Sequence, residues 1–251
     1  TVPDRPNAVE GMGWSAFEGG VVPIGHDGEG FSFDNERPRH EVLLQPFAIA
    51  DRLVTCGEWL AFIRDGGYSE ATLWLSDGWA TVQRERWNAP LYWDGTDDEW
   101  HVFTLAGPKN LDPDEPVCHV SYYEADAFAR WAGARLPRED EWEVVARNLP
   151  LDGNDATNDL FHPLPASGAG PRQFHGDVWE WTSSPYSAYP GFEVAPGAVG
   201  EYNGKFMVNQ MVLRGGCCAT PANHSRPTYR NFFPPHSRWM FGGLRLAKDT
   251  Q

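Results

Sequence analysis

The sequence predicts a single α+β domain built from short elements and long structured loops, and three observations predict it. Its 251 residues fit one large domain or two small ones, and a hydrophobic content of 41% is enough for a substantial core. Glycine (26), proline (21) and tryptophan (12) are all abundant, a mixture that interrupts regular structure and favours aromatic-packed loops. Finally, the chain carries three well-signalled helices but only brief strand candidates.

The first helix lies in "TCGEWLAFIRDGG". Thr55 and Glu58 form a capping box, Trp59, Phe62 and Ile63 share a face, and Gly66-Gly67 ends the helix. In "SYYEADAFARWAG" Ser121 and Glu124 repeat the device, Phe128 and Trp131 lie along one stripe, and Gly133 is the stop. In "LPREDEWEVVAR" Pro137 starts a turn with acids early and Arg147 late, as the helix dipole prefers, and Trp142, Val145 and Ala146 form the buried face. Strands are expected at "GVVPI", "HEVLL", "MVLRGG" and "GGLRLA". Trp74 to Gly107 and Pro150 to Pro171 read as long packed loops, and residues 1 to about 15 as a linker before a domain over 16–251.

The formal charge of −15 argues against nucleic acid, which needs a basic face, and against an anionic membrane surface. No apolar run is long enough to span a bilayer, and the first residues have no signal-peptide pattern. Cys56, Cys118, Cys217 and Cys218 form no C-x-x-C pair. A reducing cytoplasm is the simplest setting for them.

One segment departs from ordinary core patterning. "YRNFFPPHSRWMFGGLRLA" holds Tyr229, Asn231, Phe232 and Phe233 just ahead of Pro234-Pro235. Two prolines exclude a helix or a central strand there, so these side chains are expected on a stiff loop. Elsewhere "VSYYEADAFARWAG", "RLPREDEWEVVAR", "GDVWEWTSS" and "RGG…GLRLA", in that order along the chain, resemble the formylglycine-generating-enzyme (sulfatase-modifying-factor) family over roughly residues 16–248. That resemblance implies a variant of the C-type-lectin fold. "FDNERPRHEVLL", "LWLSDGWATVQRERWNAPLYW", "YNGKFMVNQMVLRGG" and "YRNFFPPH" are more narrowly similar to the C-terminal domain of the ergothioneine-biosynthesis sulfoxide synthases (EgtB type).

The narrower resemblance implies an iron- and O2-dependent enzyme that joins the sulfur of cysteine or γ-glutamylcysteine to Nα-trimethylhistidine. It also implies that Fe(II) belongs to a separate N-terminal helical domain with a His-x-x-x-His pair, a pattern missing from this chain. Substrate contact is carried over to Asn231, Phe232 and Phe233 and proposed for Tyr229, because aromatic faces hold a quaternary ammonium that no hydrogen bond satisfies. An Asp stands at the position of Phe233 in mycobacterial-type enzymes and binds γ-glutamylcysteine, so Phe233 points to free cysteine.

In "QFHGDVWEW" the wider family binds a structural Ca2+ through an Asn side chain, two backbone carbonyls and a Glu, and the matching positions are Gln173, Gly176, Val178 and Glu180. Oxygen ligands of this mix suit calcium, but Gln173 brings no charge. The other reading has Glu180 accepting backbone hydrogen bonds while Trp179 and Trp181 pack in the core. His175 and Asp177, with His224 or His236, mimic the facial triad of non-haem iron oxygenases, although Asp177 fits a turn cap better. Cys217-Cys218 lies near the copper-binding cysteines of formylglycine-generating enzymes, but adjacent thiolates are poorly placed to share one metal. "DNERPRH" (34–40) reads as a surface salt-bridge cluster or a contact for the helical domain. Two rival functions stay open: an independent formylglycine-generating enzyme, and a non-catalytic lectin-like binding module.

Overall fold

A computed structural model describes residues 11–96 and 99–250. The elements run β1 (Trp14–Phe17), β2 (Gly20–Ile24), β3 (His40–Leu44), β4 (Phe47–Ala50), α1 (Cys56–Arg64), α2 (Ser76–Glu85), β5 (Trp93–Thr96), β6 (Glu99–Thr104) and β7 (Gly107–Asn110). They continue with α3 (Tyr122–Trp131), α4 (Glu139–Ala146), β8 (Trp179–Pro185), β9 (Met211–Arg214), β10 (Asn231–Phe233), β11 (Gly242–Gly243) and β12 (Ala247–Asp249). Four small sheets result, ordered β1-β4-β12, β10-β9-β8-β11, β2-β3 and β5-β6-β7. All neighbours are antiparallel except β11 and β8.

Both expected capping boxes form. The Thr55 side chain accepts from Glu58 N and that of Ser121 from Glu124 N, while each glutamate reaches back to the cap backbone. α1 and α3 then press their aromatic stripes together, with Trp59 stacked on Phe128 at 4.9 Å and Phe62 edge-on to both. α4 buries Trp142, Val145 and Ala146 in a second cluster with Phe47, Ile49 and Phe174. β8 joins the halves: Trp181 packs in the first cluster and its indole N–H donates to Val120 O at 2.9 Å.

The Trp74–Gly107 stretch is not a loop. It contains α2 and most of the β5-β6-β7 sheet. α2 lacks the usual start signal, since its N-cap is Leu75 and makes no side-chain cap bond, and it ends on Arg86 in a left-handed conformation. β1 and β4 were also absent from the expected strands, being four-residue segments stabilised by pairing with each other across distant sequence. Trp14 opens β1 inside the stretch expected as linker, and Met12 is buried; residues 1–10 lie outside the described residues.

With sheets this small, many loop carbonyls have no ladder partner, and buried arginines supply the donors instead. Arg245 pairs with Glu180 (Nε to Oε2, 2.8 Å) and donates to Ala50 O, Arg172 O and Gln173 O at 2.9 to 3.0 Å. Arg214 donates to Glu143 Oε2 at 2.8 Å and to the carbonyls of Pro227 and Tyr229, both at 3.0 Å. Removing one partner of such a pair leaves an uncompensated buried charge. Arg245→Met should therefore lower the unfolding free energy by about 3–5 kcal/mol, read as a shifted urea midpoint at unchanged slope. Adding Glu180→Gln to it should recover part of that loss. A single variant within about 1 kcal/mol of the parent would show that the pair is not a structural tie.

Candidate functional site

The Asn-aromatic segment is β10, an edge strand paired with β9 through Asn231↔Leu213, Phe232↔Val212 and Phe233↔Met211. It ends where Pro234 removes the next donor. A strand sends alternate side chains to opposite faces, so the three predicted contacts do not share one wall as a loop would allow. Phe232 points inward, is 8% exposed, and stacks on Tyr186 at 4.0 Å in a cluster with Val212. Asn231 and Phe233 point the other way and are half-buried. Phe233 meets Trp239 edge-to-face at 5.2 Å, and Trp239 is 60% exposed. Asn231 Oδ1 accepts from Phe232 N at 2.9 Å.

Tyr229 is half-buried and already engaged. The Arg226 guanidinium lies 5.0 Å from its ring centroid, 5.4 Å from that of Phe31 and 5.6 Å from that of Phe33. The same guanidinium pairs with Glu36, which also accepts from Thr228 Oγ1 at 2.6 Å and Phe33 N at 2.9 Å. Burial works against the Glu36 charge, yet the bonds from Arg226 and Thr228 outweigh it and hold the carboxyl below its ordinary range. "DNERPRH" is thus neither a surface cluster nor an exposed contact at its acidic end. Asp34, Asn35 and Glu36 are buried, and Asn35 Nδ2 donates to Tyr186 Oη at 2.9 Å while its carbonyl accepts from Arg230.

Arg230 completes the mounting of β10. Its guanidinium makes a two-pronged pair with Glu139 at 2.8 and 2.9 Å, reaches Ser187 O, and lies 4.0 Å over the Tyr189 ring. Sequence reading missed Arg226, Arg230, Trp239 and the Phe31–Phe33 pair as parts of this region. Only the alternation in "RNFF", with Arg230 and Phe232 in and Asn231 and Phe233 out, carried a local signal.

The second predicted site does not fit calcium. Glu180 is fully buried and its carboxylate is taken by Arg245, a fixed internal cation. The Gln173 amide is also committed, with Oε1 accepting from Leu53 N and Nε2 donating to Leu164 O. Gly176 has φ +82°, and a Cβ there would lie 2.3 Å from Asn154 O, so the turn requires glycine for backbone packing. His175 does not assemble a triad: it is buried edge-on to Trp142, while Asp177 Oδ1 caps the loop by accepting from Leu164 N and Asn154 Nδ2. Among the described residues no group of three or more His, Cys, Asp or Glu side chains could hold a metal ion. Cys217 and Cys218 are buried; hydrogen bonding from Cys218 lowers the Cys217 thiol to about 6 and raises Cys218 in exchange.

The family model of the sulfatase-modifying factor enzyme 1-like domain matches residues 4–159 and 149–250 of the chain. The chain belongs to this family. Among its relatives, the hercynine oxygenase of Mycolicibacterium thermoresistibile is 40% identical over 253 residues, covering 88% of this chain and 55% of the relative. That of Mycobacterium tuberculosis is 38% identical over 253 residues, covering 91% and 59%. The chain therefore spans little more than half the length of these relatives. The solved structure of PvdO from Pseudomonas aeruginosa superimposes with a TM-score of 0.64 at 22% identity over 94% of both chains, which establishes the shared α+β architecture. No helix of the described residues is long and apolar enough to cross a membrane.

Two buried histidines make stability depend on pH. Burial lowers both His119 and His175 from 6.5 to about 4. The unfolded chain therefore binds these protons more readily, and stability should fall as pH drops from 6.5 towards 4. Neither ring nitrogen of His175 makes a well-directed hydrogen bond, and the Ala146 backbone offsets only part of the burial. His175→Phe is therefore expected to cost little at neutral pH and to flatten that fall, as read from urea midpoints across the window. An unchanged slope would mean that His175 is not held neutral.

Proposed function

We infer that this chain is the substrate-binding part of an iron- and O2-dependent sulfoxide synthase in ergothioneine biosynthesis. The reaction joins cysteine or γ-glutamylcysteine to Nα-trimethylhistidine. The observation that carries this reading is the similarity to hercynine oxygenases along most of the chain. Fe(II) is assigned to a helical domain outside this chain, where it would supply the oxygen chemistry. This chain's own residues bind and orient.

The half-buried corner formed by Phe233 and Trp239 offers aromatic faces to the trimethylammonium. Asn231, on the same face of β10, orients the polar part of the substrate. Phe232 acts from behind as a positioning residue, because its ring is spent on Tyr186. Tyr229 supports the corner rather than the cation, since Arg226 covers it. The apolar ring of Phe233 favours cysteine over γ-glutamylcysteine as sulfur donor, as it brings no charge for the donor's amino group. A formylglycine-generating activity is the weaker reading, because Cys217 and Cys218 are adjacent and buried.

Two measurements test this. The isolated chain, given Fe(II), O2, cysteine and trimethylhistidine, is expected to show no sulfoxide formation, and turnover would refute the division of labour. In the complete enzyme, Phe233→Ala should weaken binding of trimethylhistidine about tenfold more than binding of histidine, a difference of about 1.4 kcal/mol. Phe232→Ala should instead destabilise the fold by about 3 kcal/mol. Equal losses for both ligands in Phe233→Ala would rule out cation–π recognition there.

A further inference from the structure

A separate cavity of about 210 Å³ opens between the β5-β6-β7 sheet and the segment leading into α3. Tyr92, Val102, Phe103, Trp239 and Phe241 give it an aromatic and aliphatic wall, and Cys118 and His119 form its floor. Neither family resemblance nor the metal and substrate readings above account for it. It shares only the Trp239 ring with the Phe233 corner.

Three features distinguish it from a packing fault. Tyr92 and His119 both adopt left-handed backbone, at φ 72° and 62°, a conformation that costs a bulky residue about 1–3 kcal/mol and persists only where the surroundings impose it. Their segments are tied by Leu91 N donating to His119 O at 3.1 Å, and their rings meet edge-to-face at 4.9 Å. The rim is apolar yet open, with Phe103 at 61% and Leu105 at 77% exposure, although side chains of this kind are ordinarily covered when they cluster.

The interior chemistry selects the ligand. No Lys, Arg, Asp or Glu side chain lines the cavity among the described residues. Burial keeps His119 neutral, with its pKa lowered to about 4, and the Cys118 thiol neutral, raised to about 12. His162 reaches the wall, but its Nε2 is tied to Glu115 Oε2 at 2.9 Å, and Glu115 is matched by Lys109 at 2.6 Å, so these two charges neutralise each other outside the cavity. An apolar cavity of about 150 Å³ takes a benzene ring, and this one has room for a fused pair of rings.

We propose that the cavity beside Trp239 binds a neutral, flat aromatic molecule of one or two rings, at a site distinct from the Phe233 corner. Indole is the probe, with N-methylquinolinium as a cationic counterpart of similar shape, titrated calorimetrically into the folded chain without iron or thiol. Indole should bind one site with a Kd below about 1 mM, and N-methylquinolinium at least tenfold more weakly. Val102→Trp, which fills the space from the wall, should weaken indole at least tenfold. Phe103→Ala removes an exposed ring that the fold does not need, so it remains decisive if Val102→Trp fails to fold; it should weaken indole at least threefold. Indole binding that is undetectable, unaffected in both variants, or matched by N-methylquinolinium overturns the proposal. Both titrations are made in the Phe233→Ala chain, which lacks the corner assigned to the quaternary ammonium, so the two readings can fail separately.

Discussion

The fold depends on buried guanidinium groups that do the work ordinarily left to long sheets. Arg214, Arg230 and Arg245 are buried to within 2% of complete, and each joins a carboxylate on one element to backbone carbonyls on others. Buried ion pairs are costly to assemble because both partners lose water. Here the cost is offset by the number of carbonyls each guanidinium satisfies at once, which neither an aliphatic side chain nor a lysine could match in planar geometry. The result is a domain in which loops are fixed points.

That arrangement decides where a ligand can be met. Two of the three arginines converge on the segment leading into β10: Arg214 holds the carbonyls of Pro227 and Tyr229, while Arg230 locks the strand to Glu139 on α4. Arg226 adds a third tie to Glu36, from the other end of the sequence, and fills the aromatic box of Phe31, Phe33 and Tyr229 with an internal cation. Under the proposed function, the rings offered to the trimethylammonium are those of Phe233 and Trp239, beside this mounted strand. Such preorganisation lowers the ordering cost of binding. Arg245 plays a comparable part at β8, where its positive charge pairs with Glu180.

How much of this was legible follows from sequence distance. The capping boxes of α1 and α3 are written within three residues, Thr55 to Glu58 and Ser121 to Glu124, so pattern reading finds them. The pairs Arg214–Glu143 and Arg230–Glu139 span 71 and 91 residues, and Arg226–Glu36 spans 190. No local spacing announces contacts of that kind. The Asn-aromatic segment was found as a place of interest, but the prolines suggested a loop, and a loop carries no rule about which side chains share a face. The edge strand does, and it separates Phe232 from Phe233. The calcium expectation meets a contact of the same kind: Glu180 looks available in sequence, and Arg245, 65 residues later, pairs with its carboxylate.

Native-state hydrogen exchange tests most directly whether buried arginines, rather than sheet pairing, hold the aromatic wall still. In Arg230→Met combined with Glu139→Gln, which removes both charges together, amides of Asn231–Phe233 should exchange at least tenfold faster, a local loss of about 1.4 kcal/mol, while those of α1 and α3 keep their protection. Unchanged exchange at β10, or equal acceleration throughout the domain, would contradict the role given to these arginines.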